Sequence, residues 1–388
     1  MRSVLACLVC LFLAMVCLAQ TPDSTPTISQ VFAFYCNANF TSCPYGMDPT
    51  LSPLQLANGN LYGVTWWAGQ GNPNAGGTVW KVTTAGKASV VHTFQPNVAG
   101  KFPRGENPVI GFVQGSDHNL YGISESGGTT NQGVMYKQLP TGRFQVLHNF
   151  CTGSCADIQG PIILGKDGNF YGVQVSGTAI FKITPLGAYS VVHTLDAETE
   201  GRAGILIQGK DGNFYGTGSI GSACEERGTV FKMTPSGTFT ILTTFGQLEF
   251  AGDTLVQASD GNFYGAVGSS IFQLKPSGAV TTIYNLQGED GYSVVQMQQA
   301  SDGNLWVLTS DGGPQPERTG AVFAVTTGST NVAEAYFNCA STGCSPAGMM
   351  QASDGAFYGI GAQGGHAAGQ NPLGTVFKID AGLKATAK

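Results

Sequence analysis

Between residues 205 and 245 apolar and polar positions follow a four-part order. An apolar run at 205–208 leads into the turn Asp211-Gly212-Asn213, followed by an alternating stretch at 214–217. A run at 228–233, the turn Pro235-Ser236-Gly237 and a second alternating stretch at 238–245 complete the unit. Period-2 alternation bounded by Asp-Gly and Pro-x-Gly predicts four short strands joined by tight hairpins. β-Branched and aromatic residues fill the strands, as a half-buried pleated surface prefers. No stretch carries helical periodicity.

The same order recurs along the chain. Its aromatic-glycine step falls at Tyr62, Tyr121, Tyr171, Tyr215, Tyr264, Trp306 and Tyr358, at spacings of 59, 50, 44, 49, 42 and 52 residues. Four-stranded units at this period predict an all-β fold, a seven-bladed β-propeller of four-stranded antiparallel blades. The expected blades cover residues 53–94, 108–150, 161–195, 204–245, 254–286, 293–337 and 348–388. The last repeat stops before its fourth strand, while an unassigned alternating segment, residues 28–35, precedes the first. That segment is expected to complete blade seven and to remove the open edges that would otherwise template aggregation.

Residues 1–19 read as a signal peptide: Arg2, an apolar run from Val4 to Leu18 and a small exit residue, Ala19. The run falls short of the ~20 residues a membrane span needs. Val16 before Cys17 is bulkier than a lipoprotein signal carries, so a cleaved product without stable membrane insertion is expected. Residues 20–388 then form one propeller domain, secreted or extracellular, with the periplasm as the other exported location.

The phrases GSDHNLYGISESGG with GVMYKQLPTGRFQVLHNF, and GKDGNFYGTG with GTVFKMTPSGTFTILTTF, resemble the Gloeobacter-Verrucomicrobia tandem repeat of exported bacterial proteins. The resemblance covers nearly all of the mature chain. It implies a propeller-like repeat and export, and it carries no catalytic or ligand residues. Some members of that family have a C-terminal sorting signal; the closing AGLKATAK does not resemble one, so simple secretion is expected. The chain departs from the repeat at His118, where Gly is expected, and at Trp306-Val307, where Tyr-Gly is expected.

Charge narrows the partners. With 18 Lys and Arg against 24 Asp and Glu, a net charge of −6, nucleic acid is not an expected partner. Only 11% of residues are charged and 56 are Gly, a composition of tight turns. A monomer is expected, with an extracellular glycan or protein as partner.

In a blade, the connections from strand one to two and from three to four share one face, and the others share the opposite face. The first set are uniform turns; the second vary in length, and binding residues concentrate on variable loops over a rigid scaffold. The candidates there are Trp66, Trp67, Arg104, Glu106, Glu125, Asp157, Glu225, Glu226, Arg227, Arg318 and His366. Each can also be read as an ordinary solvated loop residue. The adjacent tryptophans are the hardest to read that way, and beside carboxylates they suit stacking and hydrogen bonding to a sugar.

Seven positions before each aromatic-glycine step stand Gln55, Gln114, Gln208, Gln257, Gln299 and Gln351, with Leu164 breaking the series. On channel-lining first strands these amides would form a ring. The structural reading, that each satisfies backbone groups of a neighbouring blade, is preferred over a ligand-binding ring.

Of 10 cysteines, Cys7, Cys10 and Cys17 lie in the signal peptide. Cys36 with Cys43, Cys151 with Cys155 and Cys339 with Cys344 each follow a fourth strand. Repetition at one structural place in an exported chain predicts three loop disulfides, leaving Cys224 over. Zinc would need four convergent ligands, and no histidine accompanies the pairs. His92, His148 and His193 occupy one outer-strand slot in consecutive blades and are too far apart for a metal triad. The segments GPIILGKD and GILIQGKD imitate phosphate loops and GTGSIG a dinucleotide fingerprint, yet none opens a helix. No cofactor or metal is expected.

No catalytic constellation is recognisable. A non-enzymatic extracellular binding or interaction module is therefore the preferred reading. The alternative is a hydrolase or lyase acting on extracellular polysaccharide, with carboxylates such as Glu125 and Glu225 facing one another at the channel mouth.

Overall fold

The computed structural model describes residues 25–385 except 70–71, 98, 109–110, 140–141, 151–157, 175–176, 223–224, 248–250, 329–330 and 368. The signal peptide, Cys151, Cys155, Asp157 and Cys224 therefore lie outside the described residues.

Seven antiparallel sheets follow one another along the chain, each four strands deep, and in two of them the innermost position is shared by two short strands. Blade one comprises Met47–Gln55, Leu61–Trp67, Thr78–Val82 and Ala88–Thr93. Blade seven comprises Cys344–Gln351, Phe357–Gln363 and Asn371–Asp380, and its outermost strand is Thr27–Cys36 from the other end of the chain. First strands of neighbouring blades pack against one another and so face the axis.

The repeat follows from how one blade grips the next. The Phe-Tyr step points two rings in opposite directions, as alternation in a strand requires. Tyr121 packs on Phe170 of the following blade with ring centroids 4.3 Å apart; Tyr171 does so on Phe214 at 4.4 Å and Tyr215 on Phe263 at 4.2 Å. In blades two to five and seven the tyrosine hydroxyl then donates to the aspartate of its own turn, as from Tyr121 to Asp117 at 2.8 Å and from Tyr264 to Asp260 at 2.8 Å, whereas in blade one Tyr62 accepts from Asn58 Nδ2 at 3.3 Å. In blade six Trp306 keeps both contacts, with Phe357 at 4.8 Å and with Asp302 through Nε1 at 3.2 Å.

The glycine after the tyrosine is required by close approach. A Cβ built at Gly172 would lie 2.6 Å from the ring of Phe181, which crosses from the third strand. The turn glycine is required by backbone conformation: Gly212 has φ +85°. His118 takes the same slot at φ +61°, an uncommon conformation for a residue with a Cβ.

The glutamines bridge blades. Gln257 Nε2 donates to the Gly261 carbonyl of its own turn at 2.9 Å, and its Oε1 accepts from Lys210 N of the preceding blade at 2.7 Å. Gln208, Gln299, Gln351 and Gln55 repeat both bonds, the last joining blade one to Ser353 N of blade seven. Gln114 makes the bond to its own turn, at His118 O.

First strands begin earlier than the hydrophobic pattern suggests: at Met47 instead of residue 53, Ile158 instead of 161, Ala251 instead of 254 and Cys344 instead of 348. Each contains a register shift, as between Thr50 and Leu54. In blades two and four the irregularity splits the strand, giving Glu106–Pro108 with Val113–Gln114 and Arg202–Ala203 with Ile207–Gln208. A bulge interrupts alternation, so only the segment after it reads as a strand.

Two disulfides are described, Cys36–Cys43 and Cys339–Cys344. The three histidines serve the outer strands: His92 stacks on Phe144, His148 on Tyr189 and His193 on Phe239, each ring belonging to the next blade.

Gln257→Ala removes two bonds and leaves Lys210 N short of its acceptor. A loss of about 1 to 3 kcal/mol in urea-unfolding stability is expected, and an unchanged midpoint would contradict the bridging role.

Burial opposes ionisation of Asp117 and Asp211, but hydrogen bonds from Asn, Tyr and Lys partners outweigh it. Asp117 is held below the usual carboxylate range and Asp211 at about 2. Their folded-state values are depressed, so their contribution is present above about pH 4 and is lost as pH falls toward 2. Urea midpoints measured across that window should fall steeply, and Asp211→Asn should flatten the fall.

Candidate functional site

The uniform turns all lie on the face carrying the Asp-Tyr pairs. The opposite face carries the variable connections, long between Trp67 and Thr78 and between Thr309 and Ala321, short between Val267 and Ser270. At the channel, Leu51 takes φ +54° and the chain bulges inward. Ser52 Oγ then donates to Gln296 Oε1 of blade six at 2.6 Å, and the same oxygen accepts from Met349 N of blade seven at 2.7 Å. A Cβ at Gly348 would lie 2.5 Å from Ser52 Oγ, so blades six, seven and one are packed tightly there.

Five of the expected loop residues come together at the junction of blades one and two. Trp66 and Trp67 end the second strand of blade one with their rings 5.2 Å apart, edge to face, and Trp67 is 38% exposed. Glu106 opens blade two in register with Ser126, and Glu125 immediately precedes that serine. Arg104 lies two residues before Glu106. Burial, with the positive charge of Arg104 adding to it, lowers the pKa of His92 in the outer strand to about 4.

Asn107, buried and at φ +53°, is the link between the blades. Its Nδ2 donates to the Trp66 carbonyl at 3.1 Å, its backbone N to the Gly76 carbonyl at 2.8 Å, and its Oδ1 accepts from Ser126 Oγ at 3.0 Å. The end of the tryptophan strand is thereby fixed. Asp48 lies across from Trp66, between the register pairs Met47 with Trp67 and Pro49 with Thr65. Asp48 keeps solvent access, yet shielding by the surrounding protein raises its carboxyl; burial also raises Glu106, against a hydrogen bond from Ser126. Partly desolvated carboxylates can accept hydrogen bonds, and the exposed indole of Trp67 at the same blade junction offers a stacking surface.

The remaining candidates are dispersed. Glu225, Glu226 and Arg227 lie in blade four, at the start of its third strand, with blade three between them and Glu125. Arg318 sits in blade six over the ring of Tyr292, 5.8 Å from its centroid. His366 is on blade seven near the outer edge, where its backbone exchanges bonds of 2.7 and 2.9 Å with the side chain of Gln30.

A second polar cluster, between blades five and six, has no repeat signature. Tyr336 donates to Glu289 Oε2 at 2.8 Å and Tyr284 to Asp290 Oδ2 at 2.8 Å. Glu334 is raised by burial first and then by Asp290 and Glu289, while Tyr336 acts in the opposite direction. Its visible signal is a carboxylate within the outer strand Asn331–Tyr336, whose neighbours at 332, 333 and 335 are apolar. Among the described residues no group of His, Cys, Asp or Glu is arranged to hold a metal ion.

Residues 48–269 match the Gloeobacter/Verrucomicrobia repeat, and the chain belongs to that family. Among solved structures, one titled streptogramin B lyase is 12% identical with a TM-score of 0.60, covering 92% of this chain and 98% of its own. A catalytically inactive virginiamycin B lyase from Staphylococcus aureus with quinupristin is 14% identical at 0.59, covering 91% and 99%. The extracellular domain of what is described as a hybrid two-component system from B. thetaiotaomicron is 12% identical at 0.60, covering 95% of this chain and 44% of that one. At such identities the likeness is one of fold. Among curated proteins no sequence matches the chain.

Trp67 and Trp80 separate surface from scaffold. Trp80 is fully buried against Phe34 and the Gly63 backbone, so Trp80→Ala should cost about 3 to 5 kcal/mol. Trp67→Ala should cost under about 1 kcal/mol in the same urea titration.

Proposed function

We propose that this repeat-family propeller is an exported, non-enzymatic binding module that holds a glycan on its long-loop face, with the junction of blades one and two as its main contact. The carrying observation is the solvent-facing Trp67, set edge to face against Trp66 at the end of a strand that Asn107 of blade two ties down through the Trp66 carbonyl. An exposed indole on a rigid strand gives contact area at little ordering cost. The two disulfides suit an oxidising compartment. Among the described residues no helix is long and apolar enough to cross a membrane. The signal-peptide reading of residues 1–19 supports the same location.

A polysaccharide lyase or hydrolase is the second reading. Glu334 favours it: its carboxyl is raised by burial and by neighbouring acids and lies beside Tyr336, as a general acid requires. The propeller neighbours include lyases, and that resemblance extends to the fold alone.

Glycan-array screening of the mature protein, followed by calorimetric titration of each hit, tests the proposal. Trp67→Ala should weaken binding at least about tenfold, roughly 1.4 kcal/mol, without moving the melting temperature. Binding to no glycan would overturn the reading. New reducing or unsaturated ends formed from a bound glycan, and lost in Glu334→Gln, would establish the enzyme instead.

A further inference from the structure

Six large hydrophobic side chains stand out for exposure among the described residues: Phe40, Trp67, Leu186, Val191, Val280 and Tyr292. The aliphatic ones lie away from the long-loop face, Leu186 in the hairpin before the outer strand of blade three and Val191 and Val280 within outer strands. All three aromatic ones lie on it. Tyr292, 45% exposed, is in the connection entering blade six; Phe40, 47% exposed, is in the connection from the closing strand to blade one; Trp67 is on blade one itself.

Each ring is held by its surroundings. The backbone N atoms of Tyr292 and Ser293 donate to Asp311 Oδ1 at 3.0 and 2.9 Å, and Arg318 covers one side of the Tyr292 ring. Phe40 belongs to the loop closed by Cys36–Cys43, where Asn37 Oδ1 accepts from Thr41 N and Ser42 N at 2.8 and 3.1 Å. Trp67 is anchored by its strand and by Trp66. These rings are exposed without being loose.

The stations belong to different sheets, and packed sheets lie about 10 Å apart. From the entry of blade six to blade one is two blade steps, so the arc is on the order of 20 Å long, more than one sugar ring can reach. Below it, Ser52, Gln296 and Met349 pack blades six, seven and one together.

We propose that the ligand is an extended polysaccharide chain lying along this arc, with Trp67, Phe40 and Tyr292 as successive stacking subsites. The inference rests on the glycan reading above and specifies the length and path of the ligand. A sugar chain presents flat faces at intervals, which suits separated rings better than one deep pocket does. Linked subsites raise each other's occupancy through effective concentration.

The test is calorimetric titration with cello-, chito- and malto-oligosaccharides from disaccharide to octasaccharide. Affinity in one series should rise at least about tenfold from disaccharide to octasaccharide. Tyr292→Ala and Phe40→Ala should remove most of that gain, and Trp67→Ala should weaken every length. All three side chains are exposed, and unchanged melting temperatures would confirm folded variants. An octasaccharide that binds no tighter than its disaccharide, or a length gain that survives both substitutions, overturns the extended path alone. Absence of binding at every length in all three series, with no hit on the glycan array, overturns it together with the glycan reading, whereas binding of an extended peptide in place of any sugar replaces the polysaccharide with a protein partner.

Discussion

The ring depends on a tyrosine that serves two blades at once. Its ring fills the interface with the next blade, and its hydroxyl ties down the turn of its own. Removing either half would leave a buried phenol without a partner or an aromatic pocket without a ring. The surrounding repeat follows from that demand: a turn aspartate as acceptor, a glycine in the next position to admit the crossing third-strand aromatic, and a phenylalanine to receive the preceding tyrosine. Blade six keeps the arrangement with Trp306, whose indole N–H takes the place of the hydroxyl.

Because these contacts and the glutamine bridges lie along the strands and on the short-turn face, the opposite face is free to vary. Loops there can lengthen without disturbing an interface. The bulged first strands extend the same division: their inner halves pair regularly next to the glutamines, while their outer halves bend to meet the preceding blade. Asn107 and Ser345, both at positive φ and both followed by proline, donate backbone N–H groups to carbonyls of the preceding blade, at Gly76 and Thr319. Both stand where a variable connection enters its first strand.

The blade count and strand order were legible because the tyrosine contact is written into every repeat. The bulges were not, since an extra residue in a strand changes backbone path without a side-chain signature. The meeting of Trp66 and Trp67 with Arg104, Glu106 and Glu125 was also hidden: it depends on two blades touching, and Glu106 is far from Trp67 in sequence. Asp48 went unnoticed, although it shares a visible clue with Asn107 and Ser345, a proline immediately afterwards at the same slot of the repeat. Nothing in the sequence marks Tyr292 and Phe40, because exposure is a property of the folded surface. The expected pairing of Glu125 with Glu225 assumed that opposite loops converge, whereas the two are exposed and separated by a blade.

Pairing of Thr27–Cys36 with Asn371–Asp380 joins the first described strand to the last. During synthesis the early strand has no partner until the ribosome has finished almost the entire propeller, and the last sheet carries an unpaired edge until that strand arrives. The ring must therefore remain an open crescent until the last strands are made, with the early strand lacking its sheet partner.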